Sequence, residues 1–222
     1  MISQTKKNRK EDRMTHEQQM RARIKDAAFK LMAEQGIESM SMRQIAEKVH
    51  VTKPVLYYYF KDKEDLCVSI IEERVRQFNS FLDSALAKGP DITELLSLIF
   101  ERHLEFFQDD PRNSKFIART ISYALSNKAT GFIKDGSEKM DRLHDVFERA
   151  VKKGEIPEKG LADFERLVRA VVLQIMLSAY VQMHVPYAAP AGREHFYDKA
   201  TVKRLAQVIV SGIKEYYKGN KK

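Results

Sequence analysis

The sequence holds one cysteine, few glycines, few prolines and no long apolar run, and each shortage excludes a class of protein. Cys67 has no partner for an internal disulfide and cannot build a cysteine-rich metal site, which fits the reducing cytoplasm. Nine glycines and six prolines in 222 residues are too few for an all-β fold with many tight turns. The most apolar window, 170–181, is shorter than the roughly 20 residues of a membrane-spanning helix. The polar, basic start of the chain is not a secretory signal.

Motifs of catalysis and metal binding are also missing from the sequence. Helical di-metal enzymes need paired Glu-x-x-His motifs, whereas this chain has a single one, Glu47 to His50, besides Asp141 three residues before His144. It has no glycine-rich phosphate loop, zinc-protease motif or Gly-x-Ser-x-Gly. We therefore expect a protein that is not an enzyme, with no cofactor and no metal site. An all-α enzyme is the less favoured alternative.

Positive charge is concentrated near the start of the chain. Residues 1–63 hold 14 Lys or Arg against 8 Asp or Glu, a net charge of +6, while the remaining residues carry only +2. Such a field suits the neutralisation of nucleic-acid phosphates. Residues 1–14 are predicted to be a disordered basic arm, either a solvated tail or an arm that touches DNA.

Helical periodicity runs through the chain after residue 14, and no strand pattern interrupts it. Thr15 with Gln18, and Ser41 with Gln44, have capping-box spacing, and Gly36 is predicted to end the first helix. We predict an all-α fold of nine helices in two domains. These are a three-helix helix-turn-helix DNA-binding domain over 15–62 and a helical ligand-binding and dimerisation domain over 63–222.

Two short helices within 42–60 have the layout of a helix-turn-helix. The first is predicted over Met42–Val49, His50 and Val51 form the turn, and Thr52 caps the second. Leu56 packs inward, which leaves the other face of the second helix free for a DNA major groove. The predicted DNA-binding residues are Arg43, Thr52, Lys53, Pro54, Val55, Tyr57, Tyr58, Lys61 and Lys63.

The same stretch carries a family resemblance over roughly residues 22–68. The matching segments are Ala27-Ala28-Phe29-Lys30-Leu31, Glu34-Gln35-Gly36, Ser41-Met42-Arg43-Gln44-Ile45-Ala46, and the run from Val51 to Leu66. In these residues the chain resembles the TetR family of bacterial transcriptional regulators. The resemblance implies nine helices, a homodimer built on the last two, and a palindromic DNA operator. Pro54 stands where the family often has glycine, and the basic arm is a second departure.

The C-terminal helices are rich in aromatic, methionine and histidine residues. A stripe of such residues is ordinarily plain core, but polar-tipped groups within apolar helices favour a pocket for an amphipathic ligand. The resemblance implies an inducer site there. The candidate ligand-binding residues are His103, Phe107, Tyr123, Met140, His144, Phe147, Met176 and Tyr180.

The predicted helix 161–183 is apolar nearly all round, and the predicted helix 198–217 carries one apolar stripe that includes the small Gly212. A well-buried monomer core is one explanation, and a four-helix dimer interface made from two copies of the pair is the favoured one. The sequence thus predicts a ligand-responsive transcriptional regulator, most simply a repressor, that binds an operator as a homodimer. A nonspecific helical DNA-binding protein is the second alternative.

Overall fold

Nine α-helices and one 3-10 turn make up the part of the chain that the structure describes. This computed structural model describes residues 15–127, 130–184 and 197–219, without the side chains of 124–125, 127, 130–140, 180 and 182–184. The predicted all-α fold of nine helices is confirmed within those residues, and the predicted arm, 1–14, lies outside them. The helices are α1 (His16–Ser39), α2 (Met42–Val49), α3 (Lys53–Tyr59), α4 (Lys63–Leu86), α5 (Ile92–Asp109), α6 (Arg112–Asn127), α7 (Thr130–Lys152), α8 (Leu161–His184) and α9 (Lys199–Gly219), with the 3-10 turn Glu158–Gly160 before α8.

The described residues up to Ile70 form one compact unit, here called the N-terminal unit. Both predicted capping boxes are present, at the starts of α1 and α2. They satisfy backbone N–H groups that would otherwise lack partners in the first turn of each helix. Its core contains seven fully buried side chains from all four helices, which are Ile24, Ala28, Met32, Ile45, Leu56, Leu66 and Cys67.

The helical backbone is interrupted at Gly36, where the first helix was predicted to end. Gly36 has φ 85° and ψ 165°, so it breaks the helical backbone there, but helical residues resume and α1 ends at Ser39. Glycine takes this conformation because it has no Cβ. The extra residues bring Ile37 into the core of the unit, where it is 2% exposed.

The N-terminal unit includes the first two turns of α4. The division between the units falls after Ile70, inside that helix, whereas the predicted domain boundary lay at its start. Leu66, Cys67 and Ile70 are all buried. The Sγ of Cys67 lies 3.6 Å from the Sδ of Met32, and burial raises the pKa of this thiol to about 12. Cys67 is therefore a structural residue and not a reactive one.

The described residues from Ile71 onward form a second compact unit, here called the C-terminal unit. Helix α5 is its centre and packs against α9, α8 and α6, while α7 packs against α6 and α8. Leu96, Ile99 and Phe100 on α5 are fully buried, as is Phe164 on α8. Among the described residues, no helix combines the length and apolar character needed to cross a bilayer.

Candidate nucleic-acid interface and internal cavity

Helix α3 is held in the N-terminal unit by one buried side chain and by the half-buried Tyr59, and its other side chains are exposed. Leu56 is its only buried residue. The turn before it is fixed by His50 in a left-handed conformation and by the Val51 N–H, which donates to the Ala46 carbonyl at 3.0 Å. Predicted DNA-binding residues Val55, Tyr57 and Tyr58 are 40%, 50% and 74% exposed. Large exposed side chains on a fixed helix form a contact surface.

The capping role predicted for Thr52 is not observed. Thr52 occupies the N-cap position of α3, but its side chain makes no capping hydrogen bond. Pro54 lies in the first turn as predicted, and proline has no N–H for a cap to satisfy. The exposed Thr52 hydroxyl is therefore not used within this helix.

The predicted cationic contacts fall into three groups. Lys53 and Lys61 are exposed, and within the described residues neither ammonium has an ion-pair partner. Arg43 is exposed and pairs with Glu47 at 2.7 Å. Lys63 is half-buried, and its Nζ donates to the carbonyls of Ile37 and Glu38 at 2.8 and 3.2 Å. Lys63 therefore supplies positive charge to the C-terminal end of α1, which has no basic residue in its own last turn.

Two arginines of α1 also hold the N-terminal unit together, and sequence reasoning missed both. The guanidinium of Arg23 donates to the Val49 carbonyl at 3.1 Å, at the end of α2. Arg21 lies over the rings of Tyr59 and Phe60, with 5.8 and 5.2 Å to the centroids. Cations over aromatic faces are attracted by the ring quadrupole. Basic residues near the helix-turn-helix thus divide between internal bonds and exposed positions.

The C-terminal unit contains a cavity of about 520 Å³ with walls from five helices, α4 to α8. Most lining side chains are apolar, and the volume falls within the range of small-molecule sites. Five of the predicted ligand-binding residues line it, namely His103, Phe107, His144, Phe147 and Met176. The side chains of Met140 and Tyr180 lie outside the described residues.

Tyr123, another predicted ligand-binding residue, is not among the residues that line this cavity. The lining part of α6 consists of Phe116, Ile117, Thr120 and Ile121. Tyr123 follows nearer the C-terminal end of α6, where its side chain is half-buried. The Thr120 Oγ1 is buried and has no hydrogen-bond partner among the described atoms, so a polar group in the cavity is its natural partner.

Four charged side chains that sequence reasoning missed line the otherwise apolar cavity: Arg74, Arg102, Glu165 and Arg169. Arg74 lies over the Phe106 ring at 5.5 Å, and burial lowers the pKa of its guanidinium. The sequence signal that could have revealed such residues is a charged residue at a position where the helical spacing predicts an apolar one. Arg74 lies three residues after Ile71 and four before Phe78, in the position of an apolar stripe residue.

Glu165 links α8 to α7 at this cavity. Its Oε1 accepts a hydrogen bond from the Nδ1 of His144 at 2.5 Å, and its Oε2 accepts one from Arg169 at 3.0 Å. The Glu165 hydrogen bond raises the pKa of His144, with smaller contributions from the charges of Glu148 and Asp145. His103, unlike His144, bonds within its own helix, where its Nδ1 donates to the Ile99 carbonyl at 2.7 Å.

Comparison with known proteins assigns the chain to a family. Residues 24–70 match the model described as bacterial regulatory proteins, tetR family. The HTH-type transcriptional repressor KstR of Rhodococcus jostii is 30% identical over 165 residues, which cover 74% of this chain and 73% of KstR. The chain belongs to the TetR family of bacterial transcriptional regulators. This TetR-family chain is also 26% identical to the fatty acid metabolism regulator protein of Bacillus subtilis over 139 residues, 61% of this chain and 70% of that protein.

Solved structures of TetR-family proteins share this fold. FadR of Bacillus halodurans, a fatty acid degradation regulator, superposes with a TM-score of 0.71 at 20% identity, covering 86% of this chain and 98% of FadR. FadR of Bacillus subtilis, in complex with stearoyl-CoA, gives 0.65 at 22% identity with the same coverage. At such identities the likeness concerns the fold alone. The predicted family and its DNA-binding regulatory class are confirmed.

Proposed function

We propose that this chain is a transcriptional repressor that binds a palindromic operator as a homodimer and leaves it when an acyl-chain effector binds. The observation that carries the proposal is the apolar cavity of about 520 Å³ in the C-terminal unit. One of its walls is α4, the helix that begins within the N-terminal unit. A single helix thus belongs both to the cavity and to the unit that carries the helix-turn-helix.

The effector class is supported by the cavity lining and by the relatives. The lining combines aromatic and aliphatic side chains with a few charged groups, which suits a ligand with an apolar chain and a polar head. The B. subtilis protein of similar fold binds stearoyl-CoA, and a 26%-identical relative is a fatty acid metabolism regulator. We therefore propose a long-chain fatty acid or its CoA thioester as the effector. The repressor KstR supports repression over activation.

The DNA contacts proposed for each protomer follow the exposed surface around α3. Pro54 and Val55 present compact apolar groups to base edges, and Tyr57 and Tyr58 present hydroxyls to phosphates. Lys53 and Lys61 add positive charge. Arg43 and Thr52 complete the proposed set. Because Lys63 is bonded to two carbonyls of α1, we assign it to positioning rather than to phosphate binding.

The dimer interface is proposed on the free faces of α8 and α9. On α8, Leu167, Leu173 and Leu177 are 43%, 56% and 47% exposed. On α9, Val208 and Tyr216 are 67% and 63% exposed, and Gly212 lies midway between them with open space around it. Residues four apart share one face of a helix. An apolar face with a small residue at its centre suits close packing against a second copy.

Release requires that the effector bind the conformation that does not fit DNA more tightly than the one that does. We propose that filling the cavity shifts α4 and changes the distance between the two copies of α3 in the dimer. Half-sites on DNA lie about 34–36 Å apart per turn, so a small change breaks the register. Such a regulator works on chromosomal DNA in the cytoplasm.

The test is selection of bound duplexes from random DNA, followed by titration of the selected operator complex with tetradecanoyl-CoA. We expect enrichment of an inverted repeat and a fall in operator affinity as the thioester is added. Absence of any enriched sequence would favour a nonspecific DNA-binding protein. An enriched operator whose affinity is unchanged at saturating thioester would refute the proposed effector response.

A further inference from the structure

We propose that the cavity selects effectors carrying a negative charge, and that Glu165 sets the strength of this selection by acting as a resident counter-ion. The inference rests on the proposed function and deepens it, since it concerns the charge of the effector. It assigns a specificity-determining role to the one carboxylate among the described residues that line the cavity.

The charge of the cavity wall is the first step. Three guanidinium groups line it, those of Arg74, Arg102 and Arg169, against the single carboxylate of Glu165. Placing charges in an apolar wall is unfavourable unless opposite charges accompany them. The excess of positive charge over the lining therefore favours a ligand that brings negative charge with it.

Arg74 and Arg102 contribute guanidinium groups to the cavity wall from α4 and α5. Burial lowers the pKa of Arg74, the charges of Glu73 and Asp110 oppose this shift, and the charge of Arg102 adds the smallest effect, a lowering. Glu73 and Asp110 do not line the cavity, so a carboxylate or phosphate inside it would face the guanidinium groups, whereas an uncharged head group would not use their charge.

Glu165 occupies the place that an anionic ligand group would compete for. Its side chain is only 13% exposed, and both of its oxygens are used, one by His144 and the other by Arg169. Those two donors line the same cavity and are about half exposed, at 47% and 57%. While Glu165 is ionised, it neutralises donors that would otherwise bind a carboxylate or phosphate directly.

Two sources supply this anionic chemistry on an acyl chain: the carboxylate of a free fatty acid and the phosphates of a CoA thioester. A guanidinium binds either group through paired N–H donors. Probes of one chain length that differ only in the head group therefore separate charge selection from chain recognition.

The experiment is calorimetric binding to the full-length protein without DNA, with tetradecanoate and tetradecanoyl-CoA below their critical micelle concentrations and tetradecanol below its solubility limit. For the wild-type protein we expect at least one of the two anions to bind more tightly than the alcohol. That preference should weaken as KCl is raised, since salt screens partly exposed charges. The anion that shows the preference identifies the source of the charge.

Two substitutions move the preference in opposite directions. Measured at about pH 5.5, where His144 stays protonated even without Glu165, Glu165→Gln should tighten binding of the preferred anion by about fivefold and leave the alcohol unchanged, because it removes the resident negative charge. Arg102→Gln should weaken binding of the same anion. Arg166→Gln is the matched control, because Arg166 lies on α8, pairs with Asp163 at 2.7 Å and does not line the cavity.

Equal affinity of the wild-type protein for the alcohol and both anions would overturn the proposal. So would a Glu165→Gln variant that tightens all three ligands alike, or a response to Arg166→Gln as large as that to Arg102→Gln. Because no DNA is present, the result is separate from the proposed function. Anion-selective binding with unchanged operator affinity would refute effector-driven release and leave charge selection intact.

Discussion

The two units of this chain place their charged side chains in different settings. In the N-terminal unit, Lys63 and Arg23 bond to helix-end carbonyls, while Lys53 and Lys61 remain on the surface. In the C-terminal unit, arginines and a glutamate lie in the wall of an apolar cavity. Some of the charge on the first unit therefore stabilises its fold, and the rest is exposed where we propose that DNA binds. In our proposal, the charge in the second unit selects a small anionic ligand.

The relatives reflect the same difference. The family model matches residues 24–70, all of which lie in the N-terminal unit. Across the larger part of the chain, solved structures superpose well at only 20–22% identity. A surface that reads DNA places requirements on particular residues, whereas a helical wall tolerates any side chains that fill the space and suit the ligand.

The largest expected effect comes from a change that should damage the N-terminal unit and spare the C-terminal unit, namely removal of the only buried side chain of α3. Leu56→Ala deletes the only buried side chain of a seven-residue helix, so we expect a loss of about 2–5 kcal/mol in the free energy of unfolding of the N-terminal unit. Operator binding should be lost, as measured by a gel-shift titration. Calorimetric binding of tetradecanoyl-CoA should persist, because the cavity is built entirely from the C-terminal unit.

The matched control for this change is its neighbour on the same helix. Val55→Ala alters a side chain that is 40% exposed, so thermal stability should stay within about 0.5 kcal/mol of wild type. Operator affinity should fall by about 1 kcal/mol if the methyl groups contact a base. Loss of thioester binding in Leu56→Ala would show that the units do not fold separately, which would break the comparison.

A second, smaller contrast lies within the N-terminal unit, between two lysines that are two residues apart. Lys61→Ala should reduce the slope of log affinity against log salt by about 0.9 per protomer, because one phosphate contact is lost. Lys63→Ala should leave that slope unchanged and lower stability by about 1 kcal/mol, because it removes hydrogen bonds to the end of α1. Thermal melts and affinities at several salt concentrations measure both. A reduced salt slope in Lys63→Ala would show that Lys63 contacts a phosphate after all.

These contrasts also mark how far the sequence leads. The helix-turn-helix was predictable down to the ends of α2, because capping boxes, a proline in the first turn and the apolar spacing are all local signals. The roles of Lys63 and Glu165 were not, since their partners lie 26 and 21 residues away and only the packed fold brings them together. Predicting them from sequence requires treating a charge within an apolar stripe as a sign of function.

The smallest predicted effect concerns pH and belongs to the C-terminal unit. Glu165 from α8 holds the pKa of His144 above its ordinary value of 6.5, with help from Glu148 and Asp145 on α7 itself, while Arg169 shares the Glu165 carboxylate. A raised pKa in the folded state means that the protonated histidine stabilises the fold. That contribution is complete below about pH 6.5 and disappears as the pH rises through the folded-state pKa.

We therefore compare thermal melts of the wild-type protein and His144→Gln between pH 5.5 and 9. The wild-type advantage should be greatest at the acid end and vanish at the alkaline end, and it should be small because His144 is about half exposed. Glu165→Gln should shift the transition to lower pH, since the hydrogen-bond acceptor is no longer charged. Anion affinity should weaken over the same range as the imidazolium loses its proton. A difference between the melts that does not change with pH would show that His144 contributes by packing alone, and the cavity charge would then rest on its arginines.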